Sequence, residues 1–238
     1  MSGINTKVVG YQHAALFKFQ HAVYRSLGKN LDPTLVLCAG QVGLGQMLRH
    51  SNLQAEIVGV LGSPRVHANI TEQAHIGNKK ILVIPEGILD DCIDLFCFSI
   101  ECAKLDPSIE FIWRLHPLMS FEKIFATKNE LSNRPSNITI STHSFEFDIA
   151  QTSFALYKGS TAVISAAAAG LIPIYLNRLN NFSVNPLFEI DEKCIRVSTP
   201  KELVYAIAHS RIDPSVIEYC TQFYQPLNSN SLRNLLND

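Results

Sequence analysis

The stretch from Phe154 to Leu176 constrains the chain more than any other. Four apolar residues, a Lys-Gly-Ser-Thr turn, an alanine-rich run and a second apolar block read as strand, tight turn, helix, strand. That succession is the repeating unit of a parallel sheet covered by helices. At the turn, Gly159 frees the backbone, and Ser160 and Thr161 offer hydroxyls and unpaired amides at a helix start. The helix dipole adds partial positive charge there, so the place favours an anion such as phosphate. The same two residues serve equally well as an ordinary N-cap.

The alternation extends in both directions. Residues 7–11, 34–39 and 57–61 read as strands, with helices expected over 16–27 and 43–50. A break follows at Gly62-Ser63-Pro64-Arg65, and the polar residues up to 79 read as a linker. Beyond it, strands are expected over 80–84, 110–115, 137–141, 172–176 and 194–197. Helices are expected over 89–105, 120–127 and 144–151, and from Pro200, Pro214 and Ser229. The expected fold class is α/β: a doubly wound, Rossmann-like parallel sheet over 80–238, a linker over 65–79, and a partial domain over 1–64.

Twenty Lys and Arg against 21 Asp and Glu leave no global charge to recruit nucleic acid, whereas a small anionic ligand is compatible. The six cysteines form no C-x-x-C pair and no zinc spacing, so they read as reduced core residues, and neither a metal site nor a cofactor is expected. No apolar run is long enough to span a bilayer and the first residues hold no apolar signal region. A cytoplasmic protein is expected, one that could still work at the inner face of a membrane.

In open parallel sheets, ligands sit beyond the carboxyl ends of the strands. Five segments there carry suggestive chemistry: Gln12-His13, Gly62 to Arg65 with Ser63, Pro85-Glu86-Gly87, Arg114 to Pro117 with His116, and Lys158 to Thr161. Strand alternation puts Arg114 and His116 on one side, able to act together on an anion. Glu86 could accept hydrogen bonds from a ribose, or complement the next helix dipole. Gly40-Gln-Val-Gly43-Leu-Gly45 does not place a third glycine at the offset a dinucleotide loop requires, and reads as a turn. Lys158 precedes its glycine, so the turn is not an ATPase loop.

Trp113-Arg-Leu-His116-Pro117, followed by Tyr157-Lys-Gly-Ser160-Thr161 and a small-residue helix, resembles the His-Pro and Ser/Thr motifs of bacterial sialyltransferases and related capsule sugar transferases of the GT-B fold. A similar Arg-x-His-Pro occurs in CDP-glycerol glycerophosphotransferases. The Gly10-Tyr-Gln-His13 and Gly62 to Arg65 segments are similar to hinge-side segments of surface-carbohydrate enzymes. The resemblance implies a carboxyl-terminal nucleotide-binding domain preceded by the end of an acceptor-side domain. It also implies transfer of a nucleotide-activated sugar, with a CMP-linked nonulosonic acid first, to a glycan or glycolipid in surface polysaccharide synthesis, capsule or lipopolysaccharide. His116 and His13 become candidate catalytic residues. Arg114, Pro117, Gly159, Ser160, Thr161, Glu86, Gly87 and Ser63 become candidates for holding nucleotide and phosphate. The acidic-acidic-glycine motif of the sialyltransferases is not matched, since Asp90-Asp91-Cys92 lacks the glycine. Two other readings stay open: a GT-B-shaped sugar-nucleotide 2-epimerase, and a non-catalytic nucleotide-binding half whose partner chain supplies the acceptor domain.

Overall fold

The computed structural model describes residues 7–28, 30–65, 78–178 and 184–228. The chain divides into two compact units, Met1–His67 with Thr221–Asp238, and Ala68–Cys220. Most of the expected linker and the helix expected from Ser229 lie outside the described residues.

In the first unit, β1 (Val9–Gln12), β2 (Leu35–Cys38) and β3 (Val58–Val60) form a parallel sheet in that order, with α1 (Gln41–His50) between β2 and β3. Leu16, Tyr24, Val36, Cys38 and Met47 make its core. The helix expected over 16–27 is not formed: a 3-10 turn at Ala22–Tyr24 stands in its place. The physical reason is its pattern. Leu16 and Tyr24 are buried in the core with Val23 packed against it, while Phe19 and Leu27 are exposed, so no continuous apolar stripe stabilises a helix by packing.

The C-terminal segment differs from its expected domain, because residues after Cys220 group with the first unit. The amide of Gln225 donates to the Ala39 carbonyl, and that of Ser63 donates to the Gln225 carbonyl at 2.7 Å. Gly62, at φ 91°, lies so close to the Pro226 carbonyl that a Cβ would sit 2.2 Å from its oxygen, so only glycine fits there.

The second unit holds β4 (Lys80–Ile84), α2 (Leu89–Leu105), β5 (Glu110–Trp113), α3 (Phe121–Thr127), β6 (Ile138–Ile140), α4 (Phe145–Ala150), β7 (Phe154–Tyr157), α5 (Ala162–Ala168), β8 (Ile172–Leu176), β9 (Ile195–Val197), α6 (Pro200–His209) and α7 (Pro214–Thr221). Its six strands are all parallel, in the order β6-β5-β4-β7-β8-β9. Strands added on one side of β4 and then on the other make a doubly wound sheet whose direction switches between β4 and β7. These two central strands are buried along nearly their whole length, as their unbroken apolar sequences require when helices cover both faces.

Local chemistry sets the edges of the elements. Pro173 is tolerated inside β8 because β9 reaches only from Ile174 to Leu176. The Ile172 amide points at β7, so the donor missing at Pro173 falls where β9 is absent. The α5 helix ends on Gly170 at φ 97°. The Leu171 and Gly170 amides return to the Ala166 and Ala167 carbonyls in a Schellman closure. Thr199 and Glu202 form a capping box ahead of α6 with Pro200 in its first turn. Trp113 ends β5 fully buried, stacked on Phe96 at 4.3 Å, its indole N–H donating to Ser99 at 2.8 Å. That anchor fixes where the strand stops and the loop starting at Arg114 begins.

Cys38, Cys92, Cys102 and Cys220 are buried and all six cysteines are free thiols. Burial pushes the Cys102 thiol up to about 12, the behaviour of a packing residue rather than a nucleophile. Among the described residues, no helix is long and apolar enough to cross a membrane.

Candidate site at the carboxyl ends of the second sheet

The second unit brings three of the five sequence segments together. Arg114, Leu115, His116 and Pro117 after β5, Ser160 and Ala162 after β7, Ile84 and Pro85 at the end of β4, and Phe145 of α4 line a cavity of about 220 Å³. A whole ligand pocket usually spans about 300–1,000 Å³, so this one suits part of a nucleotide rather than all of it. It lies beside the switch between β4 and β7, where open parallel sheets hold their ligands.

The turn after β7 is built for an acceptor-rich guest. Ser160 is 6% exposed, and neither its hydroxyl nor that of Thr161 makes a hydrogen bond among the described residues. The N–H groups of Gly159, Ser160 and Thr161 likewise make no backbone hydrogen bond among the described residues. The N-cap reading of the two hydroxyls therefore has no support from the geometry: Thr161 is the capping residue but caps with no side-chain bond. Consecutive donors along one short turn are left without a partner among the described residues, and a phosphate there would satisfy them.

Gly159 does not need glycine for a sharp turn, since positive φ occurs only at Gly28, Gly62 and Gly170 among the described residues. The space that a side chain would take is filled by the end of Glu86. A Cβ there would sit 2.3 Å from Oε2 of Glu86 and 3.0 Å from Val184. Gly87 is crowded in the same way, with a Cβ falling 3.0 Å from Nδ1 of His116. Glu86, Gly87, His116 and Gly159 are thus immediate neighbours, a grouping the sequence placed only on one sheet edge.

His116 is half-buried, and its Nδ1 accepts the Leu118 amide at 3.2 Å. With Nδ1 as acceptor, the neutral ring carries its proton on Nε2 and can donate it to an oxygen. Arg114 behaves differently from expectation. β5 ends at Trp113, so strand alternation does not govern residues 114–116, and Nη1 of Arg114 binds Asp148 Oδ2 at 2.6 Å and the His143 carbonyl at 2.8 Å. Asp148 is 1% exposed, so Arg114 is first the partner of a buried carboxylate. Its guanidinium also lies over the Phe145 ring at 5.4 Å. The other guanidinium nitrogens have no hydrogen bond among the described residues and leave a cationic edge at the cavity wall.

Beneath the turn lies an ionic group that sequence reasoning missed. Lys158, 6% exposed, donates to Asp91 at 2.5 Å and lies 3.6 Å from Asp94, and Arg178 grips Asp94 at 2.7 Å. Burial disfavours the Lys158 charge, but the bond to Asp91 and the two carboxylates outweigh it and hold its pKa above the ordinary value. This ties the first turns of α2 to the ends of β7 and β8, and gives Asp90-Asp91-Cys92 a structural task. Lys158→Met would strand Asp91 without its partner; a loss of about 3 kcal/mol of stability is expected, measured by denaturant unfolding.

His13 and Ser63 belong to the first unit. His13 is exposed beside Tyr11, their rings 6.0 Å apart. Ser63 is buried, and its hydroxyl accepts the Arg65 amide at 3.0 Å, closing the turn it sits in.

No known family model matches the sequence, and no curated protein matches it. Solved structures do. The UDP-GlcNAc 2-epimerase of Neisseria meningitidis matches with a TM-score of 0.56 and 14% identity, over 87% of this chain and 62% of that one. TarM of S. aureus matches with a TM-score of 0.56 and 12% identity, over 100% of this chain and 51% of that one. The glycosyltransferase of kitacinnamycin matches with a TM-score of 0.53 and 13% identity, over 86% of this chain and 54% of that one. This chain therefore spans between 51% and 62% of the length of these structures. Likeness at such identity shows fold, and the fold it shows is the Rossmann-like architecture of the GT-B glycosyltransferases and sugar-nucleotide 2-epimerases.

Proposed function

We propose that the second unit binds the phosphate-bearing part of a nucleotide sugar and serves a glycosyltransferase. The observation that carries this reading is the Ser160 turn. Ser160, buried and with a hydroxyl that makes no hydrogen bond among the described residues, lines one cavity with Arg114 and His116, at the switch of a doubly wound sheet and beside amides with no backbone partner among the described residues. Structural neighbours solved with UDP-GlcNAc, with UDP, and with UDP and glucose support a nucleotide sugar as the ligand class.

In the proposed reaction an acceptor hydroxyl displaces the nucleotide from the anomeric carbon. Negative charge grows on the departing phosphate, and preorganised donors aimed at it lower the barrier. Ser160, Thr161 and the adjacent amides supply hydrogen bonds, His116 gives its Nε2 proton as donor or acid, and the free edge of Arg114 adds positive charge. We propose that this set neutralises the phosphate without a resident cation. The acceptor is a glycan or glycolipid of surface polysaccharide synthesis, and His13 is proposed on the acceptor side, with a partner chain as the alternative source of an acceptor domain. For the donor, the sequence motifs favour a CMP-linked nonulosonic acid and the neighbours' ligands favour UDP.

A nucleotide screen by thermal shift decides between them. CMP or CDP raising the melting temperature above UDP, ADP and GDP supports the sialyltransferase-like reading, and UDP leading supports a hexosyltransferase. The shift is expected to survive EDTA, and its loss would overturn the cation-free scheme. The epimerase reading is favoured by the 2-epimerase neighbour. It predicts release of free nucleoside diphosphate and 2-epimer with no acceptor present.

A further inference from the structure

Glu86 stands at the switch between β4 and β7, its Oε2 filling the space where a side chain at Gly159 would be. Its carboxyl group makes no hydrogen bond among the described residues, although half-buried beside a turn full of donors. The titratable groups around it come from each neighbouring segment: Asp91 from α2, His116 after β5 and Lys158 after β7. Lys158 is already matched by Asp91 and Asp94, and Nη1 of Arg114, which lines the cavity, by Asp148. A phosphate entering the turn would meet the negative charge of an ionised Glu86, with only the free edge of Arg114 on the cavity wall to offset it. Ser160, buried and unpartnered at the cavity, marks the turn as the place the phosphate occupies.

We propose that Glu86 binds the donor as a neutral carboxylic acid, giving its O–H to a phosphate oxygen, so that binding takes up one proton from solvent. This rests on the reading of the Ser160 turn as a phosphate site. It also reverses the ribose-acceptor role that the sequence suggested for this residue. Burial, and then the charge of Asp91, push the Glu86 carboxyl above the usual carboxylate range, while His116 and Lys158 pull the other way. The sign follows. A carboxyl raised in the folded protein contributes stability below its unfolded pKa and loses it as pH rises through the folded one. A phosphate at the turn raises it further. Affinity is then full below the free-protein pKa, falls by up to about tenfold per pH unit above it, and levels off above the pKa of the complex.

The test is calorimetric titration with UDP-N-acetylglucosamine, or with CMP-N-acetylneuraminate if cytidine leads the screen, from pH 5 to 8.5 in buffers of different ionisation enthalpy. Neither probe has a phosphate group that titrates near neutrality. Wild type is expected to take up close to one proton and to weaken with rising pH. Glu86→Gln, which keeps a donor but cannot ionise, is expected to bind within about threefold of the low-pH wild type and to lose the pH dependence. His116→Asn is expected to keep it. Affinity that rises with pH, or a slope that persists in Glu86→Gln, would overturn the proposal while leaving the phosphate site standing. A slope lost in His116→Asn instead assigns the proton to His116 and also overturns it. No binding of either probe at any pH sinks the phosphate site itself, and the proposal with it.

Discussion

Replacing Ser160 and Thr161 together with alanine is expected to weaken nucleotide binding a hundredfold or more and to leave the fold intact. Each hydroxyl bonded to a charged phosphate contributes about 1.5–3 kcal/mol, and about 1.4 kcal/mol is a tenfold change in affinity. The fold is spared because neither hydroxyl holds a helix cap or any other hydrogen bond among the described residues. Calorimetry of the double mutant, with far-UV circular dichroism and a melting curve as controls, gives the answer. A folded mutant that binds as wild type would reduce the turn to a plain helix start.

The second large effect concerns Arg114 and is one of stability. Arg114→Met leaves the Asp148 carboxylate, 1% exposed, with the Ser141 hydroxyl at 2.5 Å as its one side-chain partner among the described residues. Stranding one member of a buried ion pair costs about 3–5 kcal/mol, and the partial exposure of Arg114 places the expected loss near the lower end. Changing both members, Arg114→Met with Asp148→Leu, should restore part of it, because two apolar side chains leave no buried charge behind. Urea unfolding of the two variants measures the difference. Equal stability of Arg114→Met and wild type would show that the guanidinium is spent on the ligand and not on Asp148.

These two residues show what the sequence discloses and what it hides. The β7-turn-α5-β8 unit was legible because a strand buried on both faces must be apolar throughout, and a short turn before an alanine-rich run admits little else. That the segments of Glu86, His116 and Ser160 share one sheet edge followed from one rule about strand ends. The ion pairs did not. Asp148 lies 34 residues from Arg114, in a helix where it reads as an ordinary first-turn acid, and Asp91 lies 67 residues from Lys158. Nothing in local periodicity joins such partners. Buried Lys158 directly before the turn was the one available signal, since a lysine among apolar residues at a strand end needs an acid. The helix expected over 16–27 failed for the opposite reason: its apolar residues were numerous but did not share a face.

The central claim is that a nucleotide's phosphate sits against the amides of the turn after β7. Hydrogen–deuterium exchange with and without saturating UDP-N-acetylglucosamine or CMP-N-acetylneuraminate tests it directly, because the amides of Gly159, Ser160 and Thr161 have no backbone partner among the described residues. Ligand is expected to slow exchange in a peptide covering Gly159 to Ala162, together with one covering His116 to Leu118. Binding seen by calorimetry with exchange at Gly159 to Ala162 unchanged, and protection elsewhere, would contradict it.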